Sequence, residues 1–120
     1  MKGRDTSFAK HIILELWDAS NTNSAATIKQ ALKDACVSGN LRLDKVFIHQ
    51  FSPHGVSGVA IIAESHITIH TWPEYSFAAV DIYSSNNDAD IDKVAEIIKT
   101  AFSPCQVNQV ELRRGIGSPT

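Results

Sequence analysis

Four apolar, β-rich runs follow one another between two helical segments, with no helix among them. They are Val46 to Phe51 (VFIHQF), Val56 to Ile62 (VSGVAII), Ile67 to Trp72 and Phe77 to Tyr83. A parallel doubly wound sheet needs strands that alternate with helices, so this order points to an antiparallel sheet. His11 to Trp17 (HIILELW) adds a strand before the first helix, and Val107 to Leu112 adds one after the second. For the first helix, Asn21 to Ser24 offers caps, and Ile28, Leu32, Ala35 and Cys36 keep helical spacing until Gly39. Asp88 and Asp90 cap the second, whose inner stripe is Ile91, Val94, Ala95, Ile98, Ala101 and Phe102 and which ends at Ser103-Pro104. The predicted order is β-α-β-β-β-β-α-β: an α+β two-layer sandwich, an antiparallel sheet with two helices on one face. The other face then lies uncovered, a natural surface for a second copy of the chain. Gly58 allows a close backbone approach or a bulge in its strand, and Arg113 to Thr120 reads as an open tail.

At 120 residues and 13.1 kDa the chain suits one domain with a single core. A hydrophobic fraction of 43% and a charged fraction of 20% are those of a soluble globular protein. The net charge of −2 argues against nucleic-acid binding and against a polybasic membrane patch. The N-terminus, MKGRDTSFAKH, lacks the apolar core of a signal peptide, and no apolar run approaches the ~20 residues of a membrane span. Cys36 and Cys105 are too few for a disulfide scaffold, and Cys36 falls on the inner face of its helix, so a cytoplasmic protein is expected.

The stretch Ala63 to His70 (AESHITIH) places Glu, Ser and two His residues between hydrophobic strands. Such residues in a loop are usually solvated. The histidines invite a zinc site, but His66 and His70 would stand ~13 Å apart on a straight strand, too far to share one ion. No metal is expected. A serine-hydrolase elbow is also absent: Gly55-Val56-Ser57-Gly58 is not G-x-S-x-G, and no helix follows it.

The run Glu64-Ser65-His66-x-x-Ile69-His70-Thr71-Trp72-Pro73-Glu74, followed by Ala78-Ala79-Val80-Asp81-Ile82, closely resembles the short bacterial and archaeal S-adenosylmethionine decarboxylases. Phe51-x-Pro53-x-Gly55-Val56-Ser57-Gly58-Val59 extends the match, and His11 and Glu111 to Gly115 fit more loosely, so that residues 10 to 115 are covered. The resemblance implies a proenzyme that cuts itself between Glu64 and Ser65 into chains 1–64 and 65–120. Ser65 Oγ attacks the Glu64 carbonyl to give an ester, a base removes the serine α-proton, and elimination leaves a residue that becomes a pyruvoyl group. That group is the cofactor, an electron sink when the substrate loses CO2. The product would be the aminopropyl donor for spermidine synthesis.

His70 lies five residues beyond Ser65, ~16 Å along an extended strand and on its opposite face. The resemblance implies a homodimer with the active site at the interface, where His70 and Ser57 reach the partner's serine. His70 would be the base for elimination, and Ser57 would hold the oxyanion or ester. Among substrate contacts, Phe51 would stack on adenine, Trp72 would wall the pocket and Glu74 would accept hydrogen bonds from the ribose. Core packing is the plain alternative for Phe51 and Trp72, a surface role for Glu74, and a structural role for His49 and His66.

The family pattern after Asp81-Ile82 is aromatic-Thr-Cys-Gly, whereas this chain has Tyr83-Ser84-Ser85-Asn86. The family's cysteine protonates the substrate carbon after CO2 leaves, so the resemblance implies that Ser85 takes the place of the catalytic acid here. A thiol has a pKa near ~8.5 and a serine hydroxyl lies several units higher, which makes Ser85 the poorer acid. Three outcomes follow: a slower S-adenosylmethionine decarboxylase, a pyruvoyl-dependent arginine or ornithine decarboxylase, or a homologue that does not decarboxylate.

Overall fold

A computed structural model describes residues 7–117. The elements run β1 (Ala9–Trp17), α1 (Ala25–Ser38), β2 (Leu43–Gln50), β3 (Val56–Ile62), β4 (Ser65–Trp72), β5 (Phe77–Ser84), α2 (Ile91–Phe102) and β6 (Gln106–Arg114), with a 3-10 turn at Pro73–Tyr75. This is the expected order. The strands form one antiparallel sheet ordered β2-β3-β4-β5-β1-β6, in which β1 is inserted between β5 and β6.

The helices start and stop where local chemistry directs. Ser24 Oγ accepts from the Thr27 N–H at 3.2 Å, and Asp90 Oδ1 accepts from the Lys93 N–H at 3.0 Å. α1 ends at Gly39, and α2 ends at Ser103, which takes a left-handed conformation just before Pro104. Strand alternation sends Ile12, Leu14, Leu16, Ile67, Ile69, Val80 and Ile82 to one sheet face. There they pack against Ile28, Leu32 and Ala35 of α1 and Val94, Ile98 and Phe102 of α2. Gly58 lets α1 come close: a Cβ there would stand 3.4 Å from Leu32 Cδ1 and 3.0 Å from Ile48 Cδ1. The bulge lies instead between Leu43 and Lys45 in β2.

The opposite face is open, with Phe47, Ile61, Trp72, Val110 and Leu112 exposed along it. It also carries a polar network. Thr68 Oγ1 donates to Asp81 Oδ2 at 3.3 Å, His11 Nε2 lies 3.0 Å from Asp81 Oδ1, and Arg114 Nη1 donates to His11 Nδ1 at 3.1 Å. A guanidinium only donates, so His11 accepts at Nδ1 and carries its hydrogen on Nε2, facing the carboxylate. His66 stacks on Tyr83 with centroids 5.1 Å apart. Burial pushes its pKa below the ordinary value, helped by His11 and opposed by Asp81.

Two expectations need correction. Arg113 and Arg114 are not tail: they extend β6 by pairing with Lys10 and Ala9 of β1. Backbone pairing, which charged side chains do not prevent, sets that end of the strand. Residues 118–120 lie outside the described part. Ser65 and His66 likewise belong to β4 and not to a loop, because the β3–β4 connection is only Ala63-Glu64 and Ser65 already pairs with Ile62 and Ser84.

Candidate active site

The predicted residues form two groups at opposite ends of β4. The first surrounds the Glu64–Ser65 bond. Closing a hairpin in two residues forces Glu64 to a left-handed φ of +66°, a conformation that costs a side-chain-bearing residue ~1 kcal/mol. Its carbonyl oxygen accepts two hydrogen bonds from Ser85, one from the backbone N–H and one from Oγ, both 3.0 Å long. Two donors aimed at one carbonyl oxygen match what an oxyanion needs during attack on the adjacent carbon. Ser65 is buried on the helix-facing side of the sheet, where its Oγ donates to Ser84 Oγ at 2.7 Å. Ser84 Oγ also accepts from the Asn86 N–H at 3.0 Å.

The second group lines a cavity of about 450 Å³ that holds Phe51, His54, Ser57, His70, Trp72 and Glu74. It opens from the turn between β2 and β3, which is held by its backbone. The Phe51 N–H donates to the Gly55 carbonyl at 2.8 Å, the Gly55 N–H donates to Asn23 Oδ1 at 2.9 Å, and the Val56 N–H donates to Thr71 Oγ1 at 2.9 Å. Gly55 has a φ of +108°, a conformation that calls for glycine. Ser57 and His70 face each other across β3 and β4, with 2.9 Å between Oγ and Nδ1. When Nδ1–H donates to Ser57, the Nε2 lone pair is left free to act as a base. Phe51 stands edge to face with His49 at 4.4 Å and is half exposed, so it is not core packing. Trp72 is also partly exposed and tilts against Phe77. Glu74 Oε1 lies 3.1 Å from His54 Nε2.

Within one chain these groups stay apart. Ser57, His70 and Trp72 project from the open face, whereas Ser65 projects from the helix face, as the alternation along β4 dictates. Ser85 joins Ser65; Phe51, Trp72 and Glu74 join His70. Sequence reasoning missed Ser84 and His54. Ser84 was within reach, since period-2 alternation from Ala78 through Val80 and Ile82 puts it on the helix face. No comparable pattern singled out His54. Among the described residues no cluster of His, Cys, Asp or Glu is arranged to hold a metal ion. Burial pushes the Cys36 thiol up to about 11, which keeps it inert.

A family model described as S-adenosylmethionine decarboxylase matches residues 10–115. The chain is 33% identical over 111 residues to an S-adenosylmethionine decarboxylase proenzyme of Thermomicrobium roseum, covering 92% of this chain and 96% of that one. It is 38% identical over 108 residues to the corresponding proenzyme of Methanococcus aeolicus, covering 88% and 92%. Its fold superposes with a TM-score of 0.88 on the crystal structure of the adenosylmethionine decarboxylase from Aquifex aeolicus, at 29% identity over 97% of this chain and 98% of that one.

Proposed function

The chain belongs to the S-adenosylmethionine decarboxylase family, and from that premise we propose that it cuts itself at Glu64–Ser65 and decarboxylates S-adenosylmethionine. The cut yields chains 1–64 and 65–120, and the product supplies the aminopropyl group for spermidine synthesis. The observation that carries the reading is the pair of hydrogen bonds from Ser85 onto the carbonyl of Glu64, at a strained turn beside the buried Ser65.

Ser65 Oγ attacks the Glu64 carbonyl carbon, and the oxygen takes up charge in front of the two Ser85 donors. The C–N bond then breaks and leaves an ester. Tetrahedral geometry turns the α-hydrogen of Ser65 away from its side chain, so the base for elimination need not share the helix face. His70, with Ser57 holding Nδ1, is that base. It serves the Ser65 of a second copy, because its own Ser65 lies five residues away on the other face. The open face, with its exposed aromatic and aliphatic side chains, is the surface on which the two copies pair.

A pyruvoyl group would be made from Ser65 itself, in a position flanked by Ser84, whose Oγ meets the Ser65 hydroxyl, and by Ser85, which holds the Glu64 carbonyl that departs with chain 1–64. When formed, this group supplies the electron sink for loss of CO2. Phe51 offers a face to adenine, Trp72 closes the cavity wall and Glu74 accepts from the ribose hydroxyls. Ser85 then protonates the substrate carbon, more slowly than a thiol would. A cytoplasmic location is part of the same proposal, as suits an enzyme of a small soluble metabolite.

Release of labelled CO2 tests the substrate. Release from carboxyl-labelled S-adenosylmethionine, and not from arginine or ornithine, is expected. Release from either amino acid instead would replace the substrate, and release from none would leave a self-cleaving protein without turnover.

A further inference from the structure

We propose that Ser84 is a catalytic residue of self-cleavage, the first acceptor of the proton that Ser65 Oγ gives up as it attacks. The inference rests on the self-cleavage reading above and adds to it a route for this proton on the helix face of the sheet. Any attack by Ser65 must dispose of its hydroxyl hydrogen, and within the chain His70 and Ser57 stand on the other face; a second copy that pairs through the open face would present its own from that side as well.

Ser84 meets the requirement by position. It is directly opposite Ser65 in the β4–β5 ladder and is itself buried. The Ser65 hydroxyl donates to it at 2.7 Å, the short end of the O–H···O range. The Asn86 N–H fixes its oxygen with a second hydrogen bond at 3.0 Å. With both acceptor positions of Ser84 Oγ engaged, its own hydrogen takes the remaining direction. Ser84 lines a cavity of about 150 Å³ whose walls include Ser7, Lys10, Asn86 and Asn87. A cavity of that size with polar walls has room for several waters.

The step balances. The Ser65 Oγ–H bond breaks as Oγ bonds to the Glu64 carbonyl carbon. The proton passes to Ser84 Oγ, and the hydrogen of Ser84 passes to water in the cavity. The tetrahedral oxyanion, held by Ser85, collapses with loss of the C–N bond, and the nitrogen of residue 65 takes one proton back from solvent. Net, a peptide becomes an ester and an amine, with no oxidant and no other reactant.

The test follows cleavage of freshly purified full-length precursor into chains 1–64 and 65–120. Ser84→Ala and the near-isosteric Ser84→Cys, a weak hydrogen-bond acceptor, should slow cleavage by about 100-fold, the lower end of the range for a positioned proton acceptor. Ser84→Thr, which keeps the hydroxyl, should restore most of the rate. Hydroxylamine, which cuts esters and not peptides, should release fragments from His70→Ala and not from Ser84→Ala or Ser84→Cys. Cleavage of Ser84→Ala or Ser84→Cys within about threefold of the unmodified chain overturns the proposal, as would hydroxylamine rescue of either. If the unmodified chain itself never cleaves, the self-cleavage reading falls and this proposal with it.

Discussion

Ser85 reaches across from the end of β5 to the β3–β4 turn and gives the Glu64 carbonyl oxygen two hydrogen bonds, each 3.0 Å long. One donor is the backbone N–H, which every substitution except proline keeps; the other is the hydroxyl. In the proposed reaction this one residue would bear on both stages of the chemistry: polarising the Glu64 carbonyl before cleavage, and giving a proton to the substrate after it.

Ser85→Ala removes one of the two donors. Self-cleavage should slow by about 10²-fold, the loss typical of one oxyanion donor. Ser85→Cys should keep cleaving and should raise the S-adenosylmethionine rate, because the thiol is the stronger acid. Fragment appearance and CO2 release measure the two effects separately. A cysteine variant that is no faster at decarboxylation contradicts the role given to Ser85.

The separation of Ser65 from His70 predicts complementation in trans. Ser65→Ala and His70→Ala should each fail to cleave alone. Mixed in equal amounts and paired once by unfolding and refolding together, about half of the His70→Ala chains should be cut, the share that random pairing places opposite an intact His70. If mixing produces no cleavage, the base does not come from a second copy.

The substrate contacts predict changes in binding ahead of changes in rate. Phe51→Ala should raise KM by about tenfold or more, given that a base–aromatic stack contributes ~1–3 kcal/mol. Glu74→Gln should raise KM as well, while leaving Ser65 cleavage at its original rate, since Glu74 lines the cavity at the far end of β4 from the scissile bond. Unchanged KM in both variants would return these residues to a surface role.

His66 predicts how stability varies with pH. Its pKa is lowered in the fold, chiefly by burial, so the unfolded chain binds this proton more readily. The neutral form carries no penalty above the ordinary histidine range. Stability should then be lost as pH falls from the unfolded value through the lowered folded one. An NMR titration of the His66 ring should give a midpoint below the ordinary value, and a midpoint at or above it would contradict the account.

Much of this architecture was legible in the sequence. β3 was read as Val56 to Ile62 and has those bounds, because Gly55 on one side and a tight turn on the other punctuate it. The helices were legible from Ser24, Asp90, Gly39 and Ser103-Pro104, whose effects are local. Arg113 and Arg114 were misread because an edge strand is extended by backbone pairing with β1, which hydrophobicity does not record. The site was legible as residue types, but its division was only partly so. The faces of Ser65 and His70 follow from a period of two, whereas the reach of Ser85 to Glu64 depends on the register of β4 against β5 and on the positive φ of Glu64.

Gly39 tests the packing that holds α1 against α2. A Cβ there would fall on Val94 Cγ2 and lie 3.1 Å from the Ala35 oxygen and 3.2 Å from the Asp90 oxygen, two backbone atoms that cannot move aside cheaply. Gly39→Ala should cost about 1–3 kcal/mol by overpacking, lowering the melting temperature by roughly 4 °C or more. Thermal unfolding followed by circular dichroism measures this; an unchanged melting temperature would contradict the packing described.

Intact mass spectrometry of the purified chain addresses the central claim most directly. The account predicts two fragments in place of the 13.1 kDa chain, residues 1–64 ending in a free Glu64 carboxylate and residues 65–120 beginning with a pyruvoyl group and blocked to Edman degradation. A single uncut chain after long incubation, with Ser65 intact, would contradict it.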